Sequence, residues 1–368
     1  MTGLKRITVW CLALVAGALI AMAPARDASA QEIKLQFQTA FPSSFYTHNS
    51  FLYFADRVKA LSNGRVEIIV QPGGAIVPSF ELLDATARKV LDGGFSASAY
   101  YVGKNRAAAL FGPAPGGPWG FDWIDYWGWV YDGGGLELHN RLFQEVLDRD
   151  VVVFPISPVG NQPLGWFNRE VKDWEDLATI KCRSTGITGE VMSKSGMKTV
   201  NMSGGEILPA VERGIIDCAE WAGPAADIDM GFHQILKHYY LPSAHEPATL
   251  IELIVNGEVW RSLPKDIQEI MKSVSWEATL WQVIQTHRLN AIAIKKLKEA
   301  GVKFHRTPDS ILDGQMKAWE EIRDKAIAEN PFFAEVIESQ RVYAAEIVPA
   351  RQFSQVDYDW LADYYWKQ

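Results

Sequence analysis

The sequence predicts an α/β protein of two lobes braced by one long helix. Three observations predict it. Strand-like and helix-like apolar periodicities alternate twice, once before and once after about residue 158. A helical stretch from about 264 to 300 would reach roughly 55 Å at 1.5 Å per residue, longer than one small lobe. The chain has 368 residues, enough for two cores.

The elements follow in order. Ile33 to Thr39 alternates as a strand, and Ser50 to Ser62 carries Phe51, Phe54, Ala55, Val58 and Leu61 on one helical face, with Gly64 past its end. Val66 to Val70 is the next strand, and Phe80 to Leu91 a helix stopped by Gly93-Gly94. This β-α-β-α order predicts a parallel sheet covered by helices. A Pro/Gly loop then leads into Trp119, Trp123, Trp127 and Trp129, whose density suits packing of a lobe or the wall of a pocket. Val151 to Pro155 is a buried strand crossing to a second alternation near Pro158. That alternation has strands at 180–183 and 215–219, a short helix at 188–195 and a helix at 206–213 with Pro209 in its first turn. Thr249 to Val255 returns toward the first lobe. A helix over about 309–329 precedes an aromatic tail, 332–368, which packs on its own lobe or on a second subunit.

The N-terminus reads as an export signal. Lys5 and Arg6 precede an uncharged apolar run, Ile7 to Ala23, and Ala28-Ser29-Ala30 offers small residues for cleavage after Ala30. The whole chain has formal charge −8; removing Lys5, Arg6, Arg26 and Asp27, a net +2, leaves −10 on the 338 residues that follow. An acidic chain is no partner for nucleic acid, which needs a basic face. Cys182 and Cys218 remain in an oxidising compartment, where they either pair or stay as buried thiols.

Arg183 ends a strand and is followed by the small residues Ser184, Thr185 and Gly186. Strand ends of open α/β sheets bind ligands, and a guanidinium grips a carboxylate with two parallel hydrogen bonds. A surface salt bridge is the competing reading. Glu220, beside Trp221, sits where a strand should end. Its oxygen, with those of Gln162 and Glu246, would suit a hard cation such as sodium, calcium or magnesium. Catalytic patterns are missing: there is no Gly-x-Ser-x-Gly, no His-Glu-x-x-His and no phosphate-binding Gly-x-x-x-x-Gly-Lys-Ser/Thr. A hydrolase using Glu220 and Glu246 as paired carboxylates remains an alternative, as does a receptor for another carboxylate or transport system.

Gly73-Gly74, Ile180-Lys181-Cys182-Arg183 and above all the run Leu208 to Trp221 resemble the extracytoplasmic solute receptors of TRAP transporters, the DctP-like family. The resemblance covers the chain beyond the leader and is greatest to the branch that binds 2-oxo and 2-hydroxy acids with a metal ion. It implies a two-lobed periplasmic binding protein fold with a long lobe-spanning helix and an extra C-terminal helical tail. It also implies a periplasmic receptor, not an enzyme, that delivers a small organic acid anion to membrane permease subunits. Residue by residue it implies that Arg183 clamps the carboxylate and that Gln162, Glu220, the Trp221 carbonyl and Glu246 hold sodium or calcium. Tyr100, Tyr101 and Phe45 would line the pocket. The expected organisation is a signal peptide at 1–30; lobe I at 31–157, completed by about 249–275; lobe II at 158–248, completed by about 276–331; and a tail at 332–368 that pairs subunits into a homodimer. Cys182 departs from the residue type expected before the arginine.

Overall fold

The first sheet grows outward from a strand that the sequence disguises. In the computed structural model, which describes residues 33–366 apart from 113, 114, 116 and 248, β1 (Ile33–Thr39) is followed by α1 (His48–Leu61) and β2 (Val66–Gln71). The expected export signal and its expected cleavage after Ala30 fall on residues outside those described. Helix α1 buries Phe51, Phe54, Ala55 and Val58, while Leu61, in its last turn, is exposed. β3 (Gly93–Ser96) then pairs parallel with β1. Its glycines had read as a helix stop. They are buried strand residues because their neighbours occupy the side-chain space: a Cβ on Gly93 would lie 2.5 Å from the Phe37 ring, and one on Gly94 would lie 2.9 Å from Leu82. The preceding helix is correspondingly short, Leu82–Ala87. α2 (Trp123–Tyr131) starts on a capping box between Asp122 and Asp125 and buries Tyr126, Trp127 and Trp129, so most of the aromatic loop packs a core. β4 (Val151–Gly160) closes this part of the chain.

The second sheet is built from shorter strands. β5 (Gly165–Phe167), β6 (Lys181–Arg183), α3 (Gly186–Ser193), β7 (Lys198–Val200) and α4 (Gly204–Glu212) precede β8 (Cys218–Ala219). Because α4 begins at Gly204 on the Ser203–Glu206 capping box, Pro209 lies beyond its first turn. β8 is shorter than expected, with Ile215 exposed before it. α5 (Pro224–Asp229) and β9 (His238–Leu241) follow; β10 (Thr249–Asn256) then re-enters the first sheet, α6 (Lys265–Glu299) runs on, and β11 (Lys303–Arg306) re-enters the second. The orders are β2-β1-β3-β10-β4 and β11-β9-β5-β8-β6-β7. The parallel pairing expected of the first strands is seen between β1 and β3, but the sheet is mixed: β10, which arrives from the other lobe, is antiparallel to both β3 and β4.

Helix α6 spans 35 residues, about 52 Å at 1.5 Å per residue. It packs on α1 and β4 at one end of its course and on α5 at the other. Glu277 accepts from Arg57 Nε (2.7 Å) and the Tyr53 hydroxyl (2.5 Å), and Asn290 accepts from the Ala225 amide at the head of α5 (2.9 Å). α7 (Asp309–Glu329) buries Ile311 among residues of the second lobe, and Trp319, Ile322 and Ala326 among residues of the first. α8 (Pro331–Ser354) buries Phe332, Phe333, Val336 and Ile337 in the same first-lobe core, so the start of the tail packs on its own chain. α9 (Tyr358–Trp366) buries none of its residues. No helix among the described residues is long and apolar enough to cross a membrane.

Candidate functional site

Strand β6 ends on Arg183, and its neighbour β8 runs straight into Glu220. Alternation turns Cys182 into the second-lobe core and Arg183 the other way, toward the cleft. Arg183 is 2% exposed. Its Nη1 donates to the Glu220 carbonyl (2.8 Å) and to Glu220 Oε2 (2.9 Å), and its Nε donates to the Met202 carbonyl (3.2 Å). The guanidinium carbon lies 5.1 Å from the centre of the Trp221 ring. That indole rests on Gly204, where a Cβ would meet it at 2.6 Å, so the position excludes any larger residue. The surface-salt-bridge reading of Arg183 therefore fails: the pair is buried, and burial of this kind needs full pairing.

A second polar group faces it. β4 leads to Gln162, which donates from Nε2 to Glu246 Oε2 and to Thr249 Oγ1, both at 2.6 Å. Thr249 Oγ1 donates to Glu246 Oε2 (3.1 Å) and Thr188 Oγ1 to Oε1 (3.2 Å). Burial, and then the Glu220 charge, push the Glu246 carboxyl up to about 7. His245 accepts or donates at Nδ1 with Ser243 (2.6 Å), and its Nε2 stands 4.0 Å from Glu220 Oε1. Four buried polar atoms around this centre have no hydrogen-bond partner: Gln162 Oε1, Ser184 Oγ, Trp221 Nε1 and His245 Nε2. Buried polar groups are normally satisfied, so a cluster of orphans is where a bound molecule or ion belongs.

The cavity between these groups is small, about 50 Å³. Phe41, Phe45, Val159 and Ile251 wall its apolar side. Phe45 and Trp221, from different lobes, meet edge to face at 5.3 Å. Tyr100 joins the lining; burial pushes its hydroxyl up to about 12, against the pull of Arg183. At the rim, Arg106 Nη2 reaches Glu190 Oε2 across the cleft at 2.8 Å. Beneath the site, buried Asp227 accepts from the Ala222 and Gly223 amides (3.1 and 3.0 Å), Trp166 Nε1 (2.8 Å) and the Tyr239 hydroxyl (2.9 Å). Burial still pushes its carboxyl up to about 6.

The structure thus gathers Arg183, Gln162, Glu220, Trp221, Glu246, Tyr100 and Phe45 on one cavity. Tyr101 is a correction. It is fully buried in the first-lobe core, donates to Ser96 Oγ (2.7 Å) and does not line the cavity. Thr249, Thr188, His245 and Phe41 were missed. The signals were faint: His245 and Thr249 flank Glu246 at the returning strand, and Phe41 precedes Phe45 by one turn. Among the described residues no three His, Cys, Asp or Glu side chains cluster at metal-ligating spacing. Any cation here would depend on amide and carbonyl oxygens beside the two carboxylates.

A walled cavity between two α/β lobes, with a buried arginine facing two carboxylates, is the build of a solute-binding protein. The chain belongs to the bacterial extracellular solute-binding proteins, family 7, whose family model matches residues 37–330. It is 31% identical over 333 residues to a monocarboxylate 2-oxoacid-binding periplasmic protein of Nostoc sp. (strain PCC 7120), covering 90% of each chain. A TRAP transporter solute-binding protein from Bordetella bronchiseptica RB50 superposes with a TM-score of 0.85 and 28% identity, over 92% of this chain and 98% of that one. It was solved as a mixed-occupancy dimer, with copurified calcium and picolinate in one active site and the other apo. A TRAP periplasmic solute-binding protein from Pseudoalteromonas atlantica T6c, with bound sodium and pyruvate, gives 0.81 and 28% over 88% and 97%.

Proposed function

We propose that this chain is the periplasmic receptor of a TRAP transporter, exported through cleavage after Ala30. It captures a small monocarboxylate, a 2-oxo acid such as pyruvate or a 2-hydroxy acid such as lactate, together with a metal ion in the cleft. It then hands the acid to membrane permease subunits. The observation that carries the reading is the buried Arg183 opposite two buried carboxylates, with orphaned polar atoms between them. Arg183 and the Tyr100 hydroxyl meet the carboxylate; Phe45 and its apolar neighbours take the carbon tail. Gln162 Oε1, Glu220, Glu246 and the Trp221 carbonyl hold sodium or calcium, and Gln162 Oε1 suits that role because it is buried without a partner. The ion neutralises charge and chelates the acid through one carboxylate oxygen and the 2-oxygen. The lobe organisation set out from the sequence belongs to the same reading, except that the second half of α7 packs on the first lobe. So does the chain's being a receptor and not an enzyme: Glu220 is held by Arg183, and Glu246 by Gln162 and two threonines.

Titration calorimetry on residues 31–368 with pyruvate, 2-oxobutyrate, lactate and succinate tests it. Micromolar or tighter binding of a 2-oxo or 2-hydroxy acid, with no turnover, is the expected result. Binding of none of them, or chemical conversion of one, overturns it.

The receptor is also proposed to be a homodimer paired through its tail. Phe353 is 95% exposed and Trp360, Tyr364, Tyr365 and Trp366 project from α9, an apolar surface that one copy leaves uncovered. Light scattering over a dilution series is expected to show a dimer that becomes a monomer when the chain is cut after Ser354. A monomer at every concentration in the intact protein rules the tail-paired dimer out.

A further inference from the structure

We infer that the Cys182–Cys218 disulfide is a positioning element of the binding site, holding Arg183 against Glu220. The inference rests on the ligand reading above. Cys182 and Cys218 are register partners in the parallel pair β6·β8, with Cα atoms 4.4 Å apart. The next pair is Arg183 with Ala219, and Glu220 follows at once. Each binding group therefore stands one or two residues beyond the cross-link.

The hydrogen-bonded ladder alone is a weak frame for these groups. β8 has two residues and β6 three, and only two residue pairs connect them. Beyond the side-chain contacts of Arg183 with Glu220 themselves, the ties lie on the side away from the cleft, where the Asp217 amide donates to the Lys181 carbonyl (2.7 Å) and the Lys181 amide donates to Asp217 Oδ2 (3.1 Å). A site that grips a carboxylate must hold its geometry to about half an ångström. The disulfide supplies that constraint from behind. Cys182 and Cys218 are 3% and 0% exposed and pack among Phe167, Met192 and Met197, so the cross-link is anchored in a core. It also borders a small cavity whose other walls include Glu220, His245 and Ser184, three groups of the site itself.

The test removes the cross-link and reads affinity apart from stability. Mature Cys182→Ala/Cys218→Ala protein is titrated with pyruvate in calcium at 25 °C, beside wild type and beside Val336→Ala, a buried first-lobe change far along the chain from the site. The expected loss is about tenfold or more in the double variant, carried by faster dissociation, with Val336→Ala within about twofold of wild type. In an Arg183→Lys background, which lacks the fork, removing the disulfide is expected to cost less than about twofold more. A folded double variant that binds within twofold of wild type, or an equal loss in both backgrounds, overturns the inference. If the variant does not fold, folded wild type reduced with a phosphine, with two free thiols confirmed by mass, is titrated under the same criteria. Oxidised wild type that binds no 2-oxo acid brings down the functional reading and this inference together. Wild type that binds while the variant is unaffected brings down only this one.

Discussion

Arg183→Ala is expected to weaken pyruvate binding by about 2–5 kcal/mol, a loss of roughly 30-fold to several thousandfold. The reason is twofold. The Nη2 donors left to meet the ligand carboxylate disappear, and Glu220, 4% exposed, loses the cation that makes its burial tolerable. The second effect acts on the empty protein as well, so the variant should also unfold more readily, by about 3–5 kcal/mol. Calorimetry gives the first quantity and urea titration the second. Arg183→Lys separates them: it restores a charge beside Glu220 but offers no planar fork, so stability should recover further than affinity does. Undiminished pyruvate binding in folded Arg183→Ala would remove the residue from the site.

Removing the cation is expected to have an effect of similar size. One guanidinium faces Glu220, Glu246 and the carboxylate of the incoming acid, so a closed cleft holding only these groups carries a net charge of minus two once Glu246, which burial pushes up to about 7, is ionised. Calcium cancels it and sodium halves it. Pyruvate affinity should therefore fall by at least about 100-fold when calcium is chelated in sodium-free buffer, equivalent to about 2.7 kcal/mol of coupling. Linkage makes the effect reciprocal: calcium should bind as much more tightly in the presence of pyruvate. Titration of each ligand into protein saturated with the other measures both arms. Equal pyruvate affinity with and without metal would sink the ion, and with it the roles given to Gln162 and the Trp221 carbonyl.

Much of this was legible in the residues alone, and the failures have physical causes. Strands β1, β2, β4 and β10 announce themselves because they are long enough to show a pattern. β5, β7, β9 and β11 have three or four residues each; their pairing is decided by what lies beside them, which no local period encodes. The glycines of β3 misled for a related reason, since their strand character comes from Phe37 and Leu82 filling the space they leave. Arg183 and Glu220 were readable as strand-end residues flanked by small or aromatic neighbours. Tyr100 and Tyr101 were not separable. They share the 3₁₀ turn Ser98–Tyr101, where successive side chains diverge by about 120°, so one faces the cleft and the other the core. The return of β10 was expected, but which residues flanking Glu246 turn toward the site is set by the pairing of that strand, which no local pattern encodes. The cysteine pairing stayed open until the register of β6 on β8 set the two residues side by side.

Helix α6 has a kinematic consequence. A continuous rod of 35 residues is fastened to α1 through Glu277 and to α5 through Asn290. Two bodies sharing such a spine cannot draw apart along it, and sliding would have to break one fastening or the other. What remains is a swing, like the covers of a book about its binding. Travel then grows with distance from the spine and is greatest at the rim, where Arg106 meets Glu190. The rim contact becomes the clasp, and a membrane partner that touched both covers near it would feel the difference between a full and an empty receptor where that difference is largest.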